Sequence, residues 1–107
     1  MAVRKDKPLI IKSIKRYLAE LKKNDINVLG AYLFGSYLKG IPDKWSDIDI
    51  AILTDKFIGD RFDFTLFLMK IARKIDCNIE PHPYLVNEFN KRDPFAAEII
   101  RTGARIL

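Results

Sequence analysis

The chain has 107 residues, 49% hydrophobic and 31% charged, with a formal net charge of +5. That is enough for one domain with a single core, expected over 1–107, and no apolar run approaches the roughly 18 residues of a membrane span. The lone cysteine, Cys77, excludes an internal disulfide and suits a reducing, cytoplasmic setting.

The charged start Met1–Lys7 leads into a helix instead of a signal-type apolar core. Over 8–24, Ile10, Ile14, Tyr17, Leu18 and Leu21 recur at helical spacing. Pro8 suits the first turn and Asn24-Asp25 the end. Lys12, Lys15, Arg16, Lys22 and Lys23 form its wet face, and the positive balance favours anionic partners such as nucleoside triphosphates, RNA or an acidic protein surface. Residues 27–34 read as a strand apolar on both faces, hence central or covered on two sides.

The run Leu33-Phe34 stops at Gly35-Ser36, and Gly40 and Pro42 keep any following helix short. Gly35 permits a sharp turn and a close approach of backbone to a ligand. Ser36 is a good N-cap, and the free N–H groups of a helix start suit phosphate. Lys39 or Lys44 can reach phosphates from this loop or stand in solvent. Trp45 can stack on a base or pack beside the strand.

Asp47 to Leu53 is the second predicted strand. Asp47 and Asp49 lie two apart, so both carboxylates point to one face. They repel unless a cation or proton sits between them. Hard divalent cations with oxygen ligands, Mg²⁺ or Mn²⁺, fit best. Gly35 and Gly40 have the outer spacing of a Walker loop, but Ile-Pro follows where Lys-Ser/Thr is required.

Asp60 is a plausible N-cap for a second helix over 61–75. Phe64, Phe67, Leu68, Ile71 and Ile75 make its buried stripe, widened by Phe62, Leu66 and Met69. So apolar a helix is expected to reach a partner or oligomer interface, unless the terminal helices cover it. Residues 76–82 alternate as a third strand, with Cys77 and Ile79 on the core side and Asp76, Asn78, Glu80 and His82 opposite. Cys77 reads as a small core residue, His82 as a polar strand-end residue. Pro81 and Pro83 confine this segment to an edge or terminus. A helical turn is expected at 86–91. A last helix then starts at Asp93-Pro94, turns Phe95, Ile99 and Ile100 toward the core and ends at Gly103.

Taken together, Leu33-Phe34-Gly35-Ser36, Gly40 and Ser46-Asp47-Ile48-Asp49 resemble the signature of the DNA polymerase beta nucleotidyltransferase superfamily, in particular its minimal nucleotidyltransferases (MNT). The resemblance covers about residues 28–84 well. It implies an α+β, α/β-like fold: a small mixed sheet of three or four strands with helices mainly on one face. It implies transfer of a nucleotidyl group, AMP from MgATP, to a protein or other acceptor. Metal would be held by Asp47, Asp49 and a third acidic residue, Glu80, with Asp76 the alternative. The nucleotide would lie on Gly35, Ser36, Lys39 and Gly40. Members of this kind are often paired with a HEPN protein and act as its antitoxin, so a HEPN-type partner or a homo-oligomer is implied. Tyr37 stands where the family often carries Arg, removing one positive charge near the triphosphate. Two readings from other classes remain: a catalytically weak binding module that neutralises a partner, and an RNA-binding adaptor using the basic face.

Overall fold

A computed structural model of the chain describes residues 7–35 and 47–107. The elements run α1 (Lys7–Lys23), β1 (Val28–Phe34), β2 (Ile48–Thr54), α2 (Arg61–Ala72), β3 (Ile79–Leu85), α3 (Pro94–Thr102) and β4 (Ala104–Arg105). The strands form one mixed sheet in the order β3-β2-β1-β4. β1 is antiparallel to β2 and to β4, whereas β3 runs parallel to β2. A parallel neighbour needs a crossover connection, and α2 supplies it.

Alternation along the strands separates two cores. Ala31, Leu33, Ile48, Ile50, Ile52 and Ile79 face α1 and α2, meeting Ile10, Ile14, Tyr17 and Leu21 from the first helix and Phe64, Leu68, Ile71 and Ala72 from the second. On the opposite face Ala51 and Leu53 pack against Ala96 and Ile99 of α3 and against Phe89, with Tyr32, Phe34 and Tyr84 at the margin. Among the described residues, two helices therefore share one face and a third lies on the other. β2 is covered on both sides, and every residue of it is buried except Asp49.

The ends of the helices follow from local chemistry. α1 closes with Asp25 in the left-handed region (φ 63°). Its N–H donates to the Lys22 carbonyl, and the Ile26 N–H donates to that of Leu21. This is the double closure that satisfies last-turn carbonyls, with Ile26 and Leu21 both buried beside it. Asp60 caps α2 by accepting from the Asp63 N–H at 2.7 Å, and Asp93 caps α3 by accepting from Phe95 and Ala96. Among the described residues no helix is long and apolar enough to cross a membrane.

Three expectations change. The third strand begins at Ile79, not 76, and extends to Leu85. The reason is that α2 ends in a turn: the Asp76 N–H donates to the Ala72 carbonyl, and Asp76 Oδ1 accepts from the Asn78 N–H at 3.0 Å. Cys77 therefore sits exposed in that turn, not in the core. Phe95 is 77% exposed, because the first turn of α3 presents Ala96 to the sheet instead. The helical turn expected at 86–91 is present at 86–88, where the Glu88 and Phe89 N–H groups both donate to the Leu85 carbonyl.

Pro81 and Pro83 are accommodated inside β3 because it is an edge strand. The Val86 N–H donates to Thr54 of β2. By alternation the nitrogens of residues 81 and 83 then face the open edge, where no ladder bond is lost. On that same edge Arg61 donates to the Pro83 carbonyl at 2.7 Å, its guanidinium lying over the Phe57 and Tyr84 rings.

Candidate active site

The site lies where β1 ends and β2 begins. Phe34 of β1, Asp49 of β2 and Glu80 of β3 are directly opposite one another in the sheet. Cross-strand partners project to the same face, here the α3 face. One pair further along, Tyr32, Ala51 and His82 form the next row. Asp49 thus stands on a buried strand with Glu80 as its lateral neighbour.

Gly35 lies directly against Asp49. Its φ is +85°, a region L side chains rarely adopt. A Cβ at this position would also come within 3.2 Å of Asp49 Cγ and 3.3 Å of Asp49 Cβ, and collide outright with Oδ2. The glycine therefore serves two requirements together, the sharp exit from β1 and the space occupied by the Asp49 carboxylate.

On its other oxygen Asp49 meets His82, which the sequence alone reads as a polar strand-end residue. His82 Nε2 lies 3.0 Å from Asp49 Oδ1. Their side chains are 39% and 24% exposed, so the contact lies at the rim of the covered sheet and open to a ligand. The imidazole also rests against the Phe34 ring, centroid to centroid 5.0 Å. Ala51, directly opposite His82, is small and leaves space for the ring to lean toward Asp49. The alternation Glu80-x-His82 was visible in the sequence. What it lacked was the parallel, in-register placement of β3 beside β2.

Asp47 is exposed and lies just before β2, on the approach to the site. Among the described residues no three His, Cys, Asp or Glu side chains converge into a ready-made metal cluster. The structure thus brings Asp49, Glu80 and His82 onto one stretch of sheet, with Asp47 at its entrance and not closed upon it. Asp76 stands apart, engaged in the turn after α2. Ser36, Tyr37, Lys39, Gly40, Lys44 and Trp45 lie outside the described residues.

Electrostatics around this face are shaped by packing as well as by charge. Further along β3 on the same face, burial first and Asp93 second raise the Tyr84 hydroxyl above its ordinary pKa, while Arg61 opposes them.

In sequence Gly35-Ser36 is followed by Asp47-x-Asp49 at the entry to β2, and Glu80 lies beside Asp49 on β3. The profile of the polymerase beta nucleotidyltransferase family matches residues 12–107. The chain belongs to that family.

Solved structures of the same fold agree with the assignment. One is a Sulfolobus solfataricus protein assigned as a nucleotidyltransferase: TM-score 0.61, 20% identity, 90% of this chain and 78% of that one covered. A second is a chain of a toxin–antitoxin complex with AMP-PNP, with TM-score 0.66 at 22% identity, covering 91% and 72%. A third comes from a mutant of the MntA–HpeT toxin–antitoxin pair, with TM-score 0.60 at 20% identity, covering 87% and 71%. A comparison with curated proteins finds no match. The protein is a nucleotidyltransferase-type domain of the polymerase beta family, with structural neighbours that include chains of toxin–antitoxin complexes.

Proposed function

We propose that this polymerase beta family domain transfers a nucleotidyl group, AMP from MgATP, to a protein acceptor, and that it is the MNT antitoxin of a HEPN/MNT pair. The observation that carries the reading is the in-register pairing of Asp49 with Glu80 beside the Gly35 turn. The neighbour with AMP-PNP supports an adenine nucleotide as ligand, and the toxin–antitoxin neighbours support a protein partner.

The donor set fits a hard divalent cation. Asp47, Asp49 and Glu80 offer only carboxylate oxygens, the ligands that Mg²⁺ and Mn²⁺ take. The space that a Cβ at residue 35 would take is occupied by Asp49 Oδ2. Mg²⁺ or Mn²⁺ would be held by these three residues, and when bound it neutralises triphosphate charge and orients the reacting phosphate. The remaining work belongs to the chain. Gly35, Ser36, Lys39 and Gly40 bind and orient the phosphates. Asp49, fixed at the end of a buried strand, keeps its carboxylate at one place relative to them. Catalysis of this kind is positioning and charge stabilisation more than covalent chemistry.

Calorimetry with ATP and Mg²⁺ or Mn²⁺ tests the site. Asp47→Asn and Asp49→Asn are expected to remove metal-dependent ATP binding while leaving the fold intact, since each removes charge from a like-charged pair. Unchanged binding in the double variant overturns the assignment. Incubation with labelled ATP and the neighbouring gene product then tests transfer. A non-catalytic module that neutralises its partner is the second reading, favoured by an exposed apolar stripe on α2 (Phe62 and Leu66). Stable complex formation with no label transferred would decide for it.

A further inference from the structure

His82 has no part in the reading above, yet it makes the one side-chain hydrogen bond recorded for Asp49 among the described residues. We propose that His82 is a positioning residue: it holds the Asp49 carboxylate by Oδ1 so that Oδ2 is kept at the Gly35 turn, ready for a divalent cation. The inference rests on the proposed metal-binding role of Asp49.

Three features of the site support it. A carboxylate only accepts hydrogen bonds, so His82 Nε2 carries the hydrogen and donates across the 3.0 Å contact. The imidazole is not a loose surface group, because the Phe34 ring lies 5.0 Å from it and Ala51 opposite leaves it room. Asp49 Oδ2 is on the Gly35 side, in the space that a Cβ there would take. With Oδ1 engaged and Oδ2 against the turn, rotation of the carboxylate about its last bond is restricted. A carboxylate already ordered loses less freedom when it binds a cation. Outer partners that orient metal-binding carboxylates are typically worth about 10–100-fold in metal affinity.

Mn²⁺ serves as the probe, followed by electron paramagnetic resonance and calorimetry on the full chain, without nucleotide and with a non-hydrolysable ATP analogue. His82→Ala is expected to weaken Mn²⁺ binding by about 10-fold or more. His82→Gln, which returns an N–H donor at similar reach, is expected to recover most of the loss. Nitrogen NMR of the metal-free protein adds a readout that needs no cation. The Nε2–H proton of His82 should be protected from solvent exchange in the wild type and lose that protection in Asp49→Ala, which removes the acceptor. Circular dichroism of each variant verifies folding. If the wild type binds Mn²⁺, Asp49→Asn abolishes it and His82→Ala binds equally well, the positioning role alone is overturned. Tighter binding in His82→Ala would overturn it too, by making His82 a competitor for Asp49. If the wild type binds no Mn²⁺, or Asp49→Asn binds as well as the wild type, the metal role of Asp49 fails and this inference with it.

Discussion

A side chain at position 35 has nowhere to go. The backbone there is left-handed at φ +85°, and the Asp49 carboxylate occupies the direction a Cβ would take. Either feature alone would favour glycine; together they tie the turn after β1 to the acidic residue on β2. Gly35→Ala is expected to cost about 1–3 kcal/mol of stability from backbone strain and to displace Asp49. Urea unfolding should report the first effect and Mn²⁺ titration the second. A variant that loses stability but binds Mn²⁺ normally would reduce Gly35 to a turn residue.

α2 combines two tasks that its sequence does not separate. Phe64, Leu68, Ile71 and Ala72 are buried, whereas Phe62 and Leu66, four residues apart, are 69% and 50% exposed, in line with Ile58 at 53% just ahead of the helix. The helix is thus apolar nearly all round yet covered on one side only, because α1 and the sheet occupy that side and α3 lies across the sheet. Singly exposed apolar residues are ordinary, but a stripe at helical spacing fits a partner helix. Phe62→Gln with Leu66→Gln should leave thermal stability nearly unchanged, surface substitutions usually costing within about 0.5 kcal/mol each. Light scattering, of the chain alone and with the neighbouring gene product, should show association lost. Association that survives both changes would place the contact elsewhere.

At the scale of the whole domain, Tyr17 joins the two helices of the main core. It is fully buried on α1 and its hydroxyl donates to the Leu68 carbonyl on α2 at 2.8 Å. Burial pushes the hydroxyl pKa far above the ordinary value of 10.0. The unfolded chain releases this proton near pH 10 while the folded chain retains it. The stability it contributes is therefore fully present below the ordinary tyrosine pKa and is lost as the pH rises through the raised folded value. One retained proton corresponds to a slope of about 1.4 kcal/mol per pH unit above pH 10. Tyr17→Phe should flatten that alkaline limb, at a cost near neutrality of about 0.5–1.5 kcal/mol for the lost hydrogen bond. Denaturant unfolding between pH 8 and 11 measures both, and an identical alkaline slope in the variant would show that another group sets it.

Local chemistry was enough for much of this protein. Apolar spacing located α1, caps at Asp60 and Asp93 located the starts of α2 and α3, and Gly35-Ser36 followed by Asp47-x-Asp49 located the family signature. These are signals over a few residues, set by helical and strand periods and by backbone groups that need partners. The start of β3 was misread, because residues 76–78 alternate like a strand but are drawn into the turn that closes α2. Cys77 and Phe95 were misplaced for a similar reason: which side of a short segment meets the core depends on what packs there, not on its own pattern. His82 needed the tertiary structure most. Its partner Asp49 is 33 residues away, and only the parallel register of β3 on β2, fixed by the crossover through α2, carries its imidazole to the oxygen that Gly35 leaves free.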